Sequence, residues 1–93
     1  MERVKMLVPV STIANIAKGA LLEYDSSGHV YKQLETGGTP VAVLAEAVTK
    51  DQTPAKALAI VGGPVYEDEL ASQPTQNSKA ALQQCGIYVL KRK

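Results

Sequence analysis

The sequence predicts a mainly β protein: a small, compact, barrel-like domain with one short helix near the C-terminus. Three observations carry that expectation. Residues 41–48 (VAVLAEAV) and 57–61 (ALAIV) are apolar runs of strand length, supplying side chains to both faces of a sheet. Residues 19–34 read as two strands around a turn sequence, Asp25-Ser26-Ser27-Gly28. Residues 79–84 (KAALQQ) string together good helix formers just ahead of Gly86. The 93 residues make one domain, and in a domain this small a strand buried on both faces implies a closed sheet or cover from another subunit.

Composition limits what else such a domain has. Apolar residues are 45% of the chain, yet twelve of them are Ala, so the core must come from Val, Leu, Ile and four Tyr, without Phe or Trp. A domain of this size hides only about 60–65% of its unfolded surface. Such domains commonly draw on disulfides, a metal or association. The single Cys85 excludes an internal disulfide and the single His29 excludes the usual zinc sets, which leaves association. A net charge of +1 gives neither a strong nucleic-acid footprint nor an acidic tail. No stretch has the length of a membrane span, and the N-terminal MERVKMLVPV, broken by Pro9, lacks the apolar region of a signal peptide. The expectation is a soluble protein made inside the cell, with no cofactor, metal or small-molecule substrate.

Taken in order, residues 1–18 leave three readings open. Val4, Met6 and Val8 alternate with Arg3, Lys5 and Leu7, which suits a strand as far as Pro9. Ser11-Thr12 and the spacing of Ile13, Ile16 and Ala17 suit a single helical turn. The segment is a strand or loop packed on its own domain, an arm that orders only against a partner, or a targeting peptide. Residues 19–24 then form a strand and 29–34 its return, through a type I turn with Asp25 first and Gly28 last. Residues 35–39 are a flexible link.

Pro40 and β-branched Val41 favour a strand over residues 41–48, while their Ala, Leu and Glu content keeps a helix as the alternative. Residues 49–56 are a polar loop and 57–61 a core strand, its small side chains Ala57, Ala59 and Val61 opposite Leu58 and Ile60. Gly62-Gly63-Pro64 marks a kink or bulge before Val65-Tyr66. Residues 71–78 form a surface loop. Asn77 or Ser78 caps the helix, its inward face is Ala81, Leu82 and Cys85, and Gly86 takes the C′ position. Residues 87–90 close the chain as a last strand.

Nothing in this order builds a catalytic constellation, and the chain is expected not to be an enzyme. Glu67-Asp68-Glu69 supplies carboxylates, but strand neighbours point to opposite faces and no His or Cys cluster completes a metal set; it reads as a solvated turn. Gly62-Gly63-Pro64 lacks the spacing and the Lys-Ser/Thr of a phosphate loop. Ser11, Ser26, Ser27, Ser72 and Ser78 occupy loop or cap positions with no nucleophile elbow, and His29 reads as an ordinary hairpin residue. Cys85 reads as a small buried hydrophobe. Lys91-Arg92-Lys93, together with Arg3, Lys5, Lys18 and the four tyrosines, keeps a small nucleic-acid-binding barrel as an alternative, although no RNA-binding motif frames them.

The segments also stand in a recognisable order. Gly19-Ala20-Leu21-Leu22-Glu23-Tyr24-Asp25 is followed by Pro40-Val41-Ala42-Val43-Leu44-Ala45-Glu46-Ala47-Val48, then by residues 57–63 with Val65-Tyr66-Glu67 and Leu70. Lys79-Ala80-Ala81-Leu82 and Cys85-Gly86-Ile87-Tyr88-Val89 finish it, so that residues 19–90 are spanned. In this order the chain resembles the lambda-like phage head decoration (head-stabilising) proteins. The resemblance implies a compact, β-tulip-like fold with little helix, a homotrimer, and a place in the virion on the outer face of the capsid at three-fold positions. There the protein would clamp neighbouring major capsid subunits through many repeated contacts. It further implies an N-terminal arm over residues 1–18 that orders on the capsid, ahead of a single domain over 19–93. By that placement Val4, Met6, Val8, Val10 and Ile13 are the expected capsid contacts, and Ala57, Ala59, Val61 and Val65 the expected subunit interface. A tail or fibre component of the virion is a further alternative.

Overall fold

The computed structural model describes residues 2–35 and 37–91. Readings that fall on Met1 in the arm, Thr36 in the link, and Arg92 and Lys93 in the basic run lie outside the described residues. The chain runs β1 (Val4–Pro9), β2 (Leu21–Asp25), β3 (Val30–Gln33), β4 (Ala42–Leu44) and β5 (Lys56–Tyr66), then a 3₁₀ turn (Glu67–Glu69), α1 (Gln76–Gln84) and β6 (Ile87–Leu90). The sheet order is β1-β5-β4-β2-β3 with antiparallel neighbours, and β6 joins β5 in parallel. Just past β1, Val10 bridges Tyr31 of β3, and the Ser11 N–H donates to the Tyr31 carbonyl at 2.8 Å. That contact joins the two ends of the strand order. The fold is mainly β and barrel-like, with its helix near the C-terminus.

Closure explains how a strand can be apolar on both faces. Ala42 and Leu44 point into the barrel beside Val8, Val10, Ile16, Ala20, Leu22, Val48, Ala57 and Ala59. Val43 points outward and, with Ile60 and Val65, meets Leu82 of α1 and Ile87 of β6. The apolar run therefore has a barrel on one side and a helix-and-strand layer on the other. As a strand it is shorter than its sequence suggests. Beyond Leu44 the Ala45 N–H donates to the Leu58 carbonyl (2.8 Å), but the Leu58 N–H donates to the Glu46 side chain (3.0 Å) instead of to backbone. Val48 then exchanges hydrogen bonds with Ile16, both at 2.9 Å.

The N-terminal segment takes the strand reading over Val4–Pro9, paired with β5 from Val4↔Gly62 to Pro9↔Lys56. The helical turn expected near residues 11–17 does not form, because Ile16 spends its backbone groups on Val48 rather than on a local turn. In the hairpin, Asp25 pairs with Val30, so His29 belongs to the loop and not to the returning strand. Asp25 Oδ1 accepts from the Ser27 N–H (3.1 Å) and hydroxyl (2.7 Å). The left-handed residue is His29, at φ 55°, a conformation His tolerates better than most side chains.

β5 is continuous through Gly62-Gly63-Pro64, and the break is a bulge. Val4 pairs with Gly62 while Lys5 pairs with Ile60, which leaves Val61 as the extra residue. Gly63 sits at φ +92°, and a Cβ there would overlap the Glu2 carbonyl and Arg3 Cα. Only glycine lets the two backbones cross so closely. Past this point β5 leaves the barrel and pairs with β6, the Gly63 N–H donating to the Gly86 carbonyl at 2.8 Å.

Two expectations for α1 need correction. Its cap is Thr75, whose hydroxyl accepts from the Ser78 N–H at 3.1 Å, so the helix starts before Asn77 and Ser78. Cys85 is exposed rather than buried, because as the C-cap residue it turns off the inward face that Leu82 occupies.

Candidate functional site

The most unusual surface of the molecule is the first half of β1. Strand periodicity puts Val4, Met6 and Val8 on one face and Lys5, Leu7 and Pro9 on the other. Near Pro9 the barrel closes over the first face and Val8 is 3% exposed. Toward Val4 the strand runs out past that closure. Val4 and Met6 are each 53% exposed and Leu7 59%, so this half of β1 shows apolar side chains on both faces. Leu7 stands opposite Leu58 of β5, which is also exposed. Among the described residues β1 has a strand neighbour on one side only, β5, along Val4–Pro9. Pro9, with no N–H to donate, ends that edge.

Ile13 is exposed apart from this strand. At 84% exposure it overhangs a groove of about 220 Å³ between residues 11–16 and β3, which Ile16 and Leu34 also line. Isolated apolar side chains on a surface are ordinary, whereas several clustered on one edge strand make a candidate interaction surface.

The structure divides the expected contact residues. Val4, Met6 and Ile13 are available to a partner. Val8 and Val10 are not: they fill the barrel, because closure at Tyr31 folds that part of the segment inward. The expected subunit interface is likewise taken up within the chain. Ala57 and Ala59 line the barrel interior, and Val65 packs under α1. Val61, the bulge residue, stays half-buried beside the interior cluster. The layer that those small side chains admit is the chain's own segment 10–20. Leu7 and Leu58 were missed, since their pairing depends on a register that no local pattern reveals.

Charged groups are arranged for structure. The Arg3 guanidinium donates through Nη2 to Glu69 Oε1 and through Nε to the Pro64 carbonyl at 2.9 Å, pinning the start of β1 beyond the bulge. The Glu67 carboxylate is held below its usual range by the Lys79 ammonium at 2.5 Å. The Asp25 carboxyl is lowered by the Ser27 hydroxyl and then by the Gly28 N–H. Among the described residues no three His, Cys, Asp or Glu side chains converge as a metal set. Tyr24 and Tyr31 pack edge to face across the hairpin, centroids 5.2 Å apart, so each ring already has a partner. No described helix is long and apolar enough to cross a membrane. Neither a protein-family model nor a curated protein matches the chain.

Proposed function

We propose that this protein is a phage capsid decoration protein, which sits on the outer face of the mature shell at three-fold positions and clamps neighbouring major capsid subunits. One observation supports this reading most: the edge strand β1 exposes the apolar side chains Val4, Met6 and Leu7 beside its unpaired side. Such a strand can gain backbone hydrogen bonds and apolar burial together when a partner strand or surface meets it. The order of segments over residues 19–90 supports the same assignment. The role asks for no catalysis, and strength comes from many copies acting on one shell. In the proposed homotrimer Ala57, Ala59 and Val65 serve each subunit's own core, and exposed side chains such as Leu58 are left for subunit contacts.

Sedimentation of the purified chain with expanded shells of its own phage tests the reading. The wild-type protein should pellet with shells to saturation, at three copies per three-fold position on the trimer reading. A Val4→Ser/Met6→Ser/Leu7→Ser variant should stay folded and remain in the supernatant. A folded wild-type protein that ignores such shells ends the proposal.

A further inference from the structure

The start of β1 is held in a way that burial does not explain. Of the six residues Val4–Pro9 only Val8 is buried, so packing secures the strand near the barrel closure and not ahead of it. The ladder to β5 is also interrupted there, because the bulge shifts register between Val4 and Lys5. A strand end with few buried apolar contacts ordinarily frays. Here Arg3 stands immediately ahead of the strand, and its side chain reaches the stretch of β5 beyond the bulge.

The Arg3 guanidinium bonds to two separate groups. Nε donates to the Pro64 carbonyl at 2.9 Å, and Nη2 donates to Glu69 Oε1. The same Glu69 oxygen accepts from the Tyr66 N–H at 3.0 Å, which fixes the carboxylate against β5. Pro64 and Tyr66 pair in turn with Tyr88 and Leu90, so the clasp is anchored on backbone that β6 also holds. The Arg3 and Glu69 side chains are 29% and 32% exposed, and water screens the pair only in part. The planar fork of Arg presents both donors at once, whereas a Lys ammonium is a single point on a flexible stem.

We infer that Arg3 is a positioning residue for the partner-binding strand. It holds Val4, Met6 and Leu7 extended on β5 in the unbound protein, so the strand meets its partner without leaving β5. A strand ordered beforehand loses less freedom on binding. That a capsid subunit is the partner rests on the decoration reading; the clasp itself is a property of the free chain.

Backbone amide relaxation and hydrogen exchange on the free, isotopically labelled chain test the clasp. Arg3→Gln should stay folded while residues 3–6 lose order and protection, with the Ile16, Val48 and β2–β3 amides unchanged. Arg3→Lys should recover only part of that order, since one ammonium cannot replace both bonds. Unchanged order in Arg3→Gln, or full recovery in Arg3→Lys, overturns the inference.

Shell sedimentation reads the consequence for binding. With the strand docked about 10–20% of the time in Arg3→Gln, shell affinity falls about five- to tenfold. A disulfide in place of the clasp should restore it. A Cβ added at Gly62 would stand 3.5 Å from the Val4 Cβ, within disulfide range. In an Arg3→Gln/Val4→Cys/Gly62→Cys/Cys85→Ser chain, oxidised protein should bind shells about five- to tenfold more tightly than reduced protein. The same comparison with Arg3 intact should show little difference. Equal binding of the oxidised and reduced Arg3→Gln chains would mean that Arg3 does not act by ordering the strand. Loss of binding on oxidation would mean that the strand leaves β5 to engage its partner. Either result overturns the inference. A folded wild-type chain that binds no shell removes the decoration role, and the order measurements alone then decide the clasp.

Discussion

The two sides of β4 and β5 are built differently. Inside the barrel, short side chains from four strands and segment 10–20 fill a closed space, with Ala20, Ala42, Ala57 and Ala59 letting backbones approach one another. Outside, Val43, Ile60 and Val65 are covered by one short helix and one parallel strand, and α1 contributes Leu82 as its buried residue. The interior is tied by long-range pairings on every side, including the Val10–Tyr31 closure. The outer layer pairs with the barrel's sheet through β5, and the Ala71 N–H to Gly19 carbonyl bond ties the segment ahead of α1 to it as well. Alanine-rich packing is expected to make the barrel the less tolerant of change, and the outer layer the first to open.

Truncating a leucine on each side breaks or sharpens that contrast. Leu22→Ala leaves a cavity among interior side chains with little room to relax and should lower global stability by about 3–5 kcal/mol. Leu82→Ala should cost about 2–3 kcal/mol, near the lower end of such substitutions, because α1 can settle onto the sheet. Denaturant melts read the totals, and hydrogen exchange reads the location. Leu82→Ala should speed exchange in α1 and β6 well before the barrel amides respond. If both variants expose barrel and helix amides together, the two cores unfold as one unit and the contrast fails.

The crossing at Gly63 ties β1 to both regions, since β5 leaves the barrel there. Gly63→Ala puts a methyl group against Glu2 and Arg3 and forces a side chain into positive φ. A destabilisation of about 1–3 kcal/mol is expected, with the amides of Val4 and Lys5 the first to lose protection. An unchanged melt would mean that the start of β1 moves aside at little cost.

The cap of α1 bears on the outer layer alone. Thr75→Ala should cost about 1 kcal/mol, confined by hydrogen exchange to α1 and β6, and Thr75→Ser should recover most of it. Equal loss of protection in β2 and β3 would argue against an independent outer layer.

How much of this was legible follows from what each feature depends on. The β class, the hairpin and the last strand rest on local alternation and turn residues, and a sequence displays those directly. The two-sided apolar run at 41–48 points to closure or to cover from another subunit, since a small domain has few other ways to bury both faces. Register was not legible. It decides that Val61 is the bulge residue, that Leu7 meets Leu58, and that β6 runs parallel to β5. The site residues divided along the same line. Alternation made Val4, Met6 and Val8 equivalent, and only the Val10–Tyr31 closure separates the buried Val8 from the exposed other two. The close crossings of Gly19 with residues 69–71 and of Gly63 with residues 2–3 are long-range contacts that composition cannot announce. The small face of β5 suits close approach of another layer, and in the fold Ala57 and Ala59 pack against the chain's own Val10, Ile16 and Ala20.

The smallest effect expected is also the one that separates the two regions by pH. Glu67 sits on the 3₁₀ turn and its carboxylate meets Lys79 of α1, so the pair links β5 to the outer layer. Lys79 holds the Glu67 carboxyl below its unfolded value, partial burial opposes this, and Lys91 adds a weaker pull in the same direction. A carboxylate lowered in the folded state contributes stability above its unfolded pKa and loses it as pH falls through the folded value. Acidification below the ordinary carboxylate range should therefore loosen α1 and β6 first. Asp25 has the same sign, but its partners Ser27 and Gly28 lie within the hairpin loop, so its loss should show only in β2 and β3. Glu67→Gln should leave neutral-pH stability almost unchanged and flatten the acid dependence of helix protection, measured by hydrogen exchange across an acid series. Should α1 in that variant still weaken at the wild-type pH, another carboxylate joins the layers and the Glu67–Lys79 pair is only a surface contact.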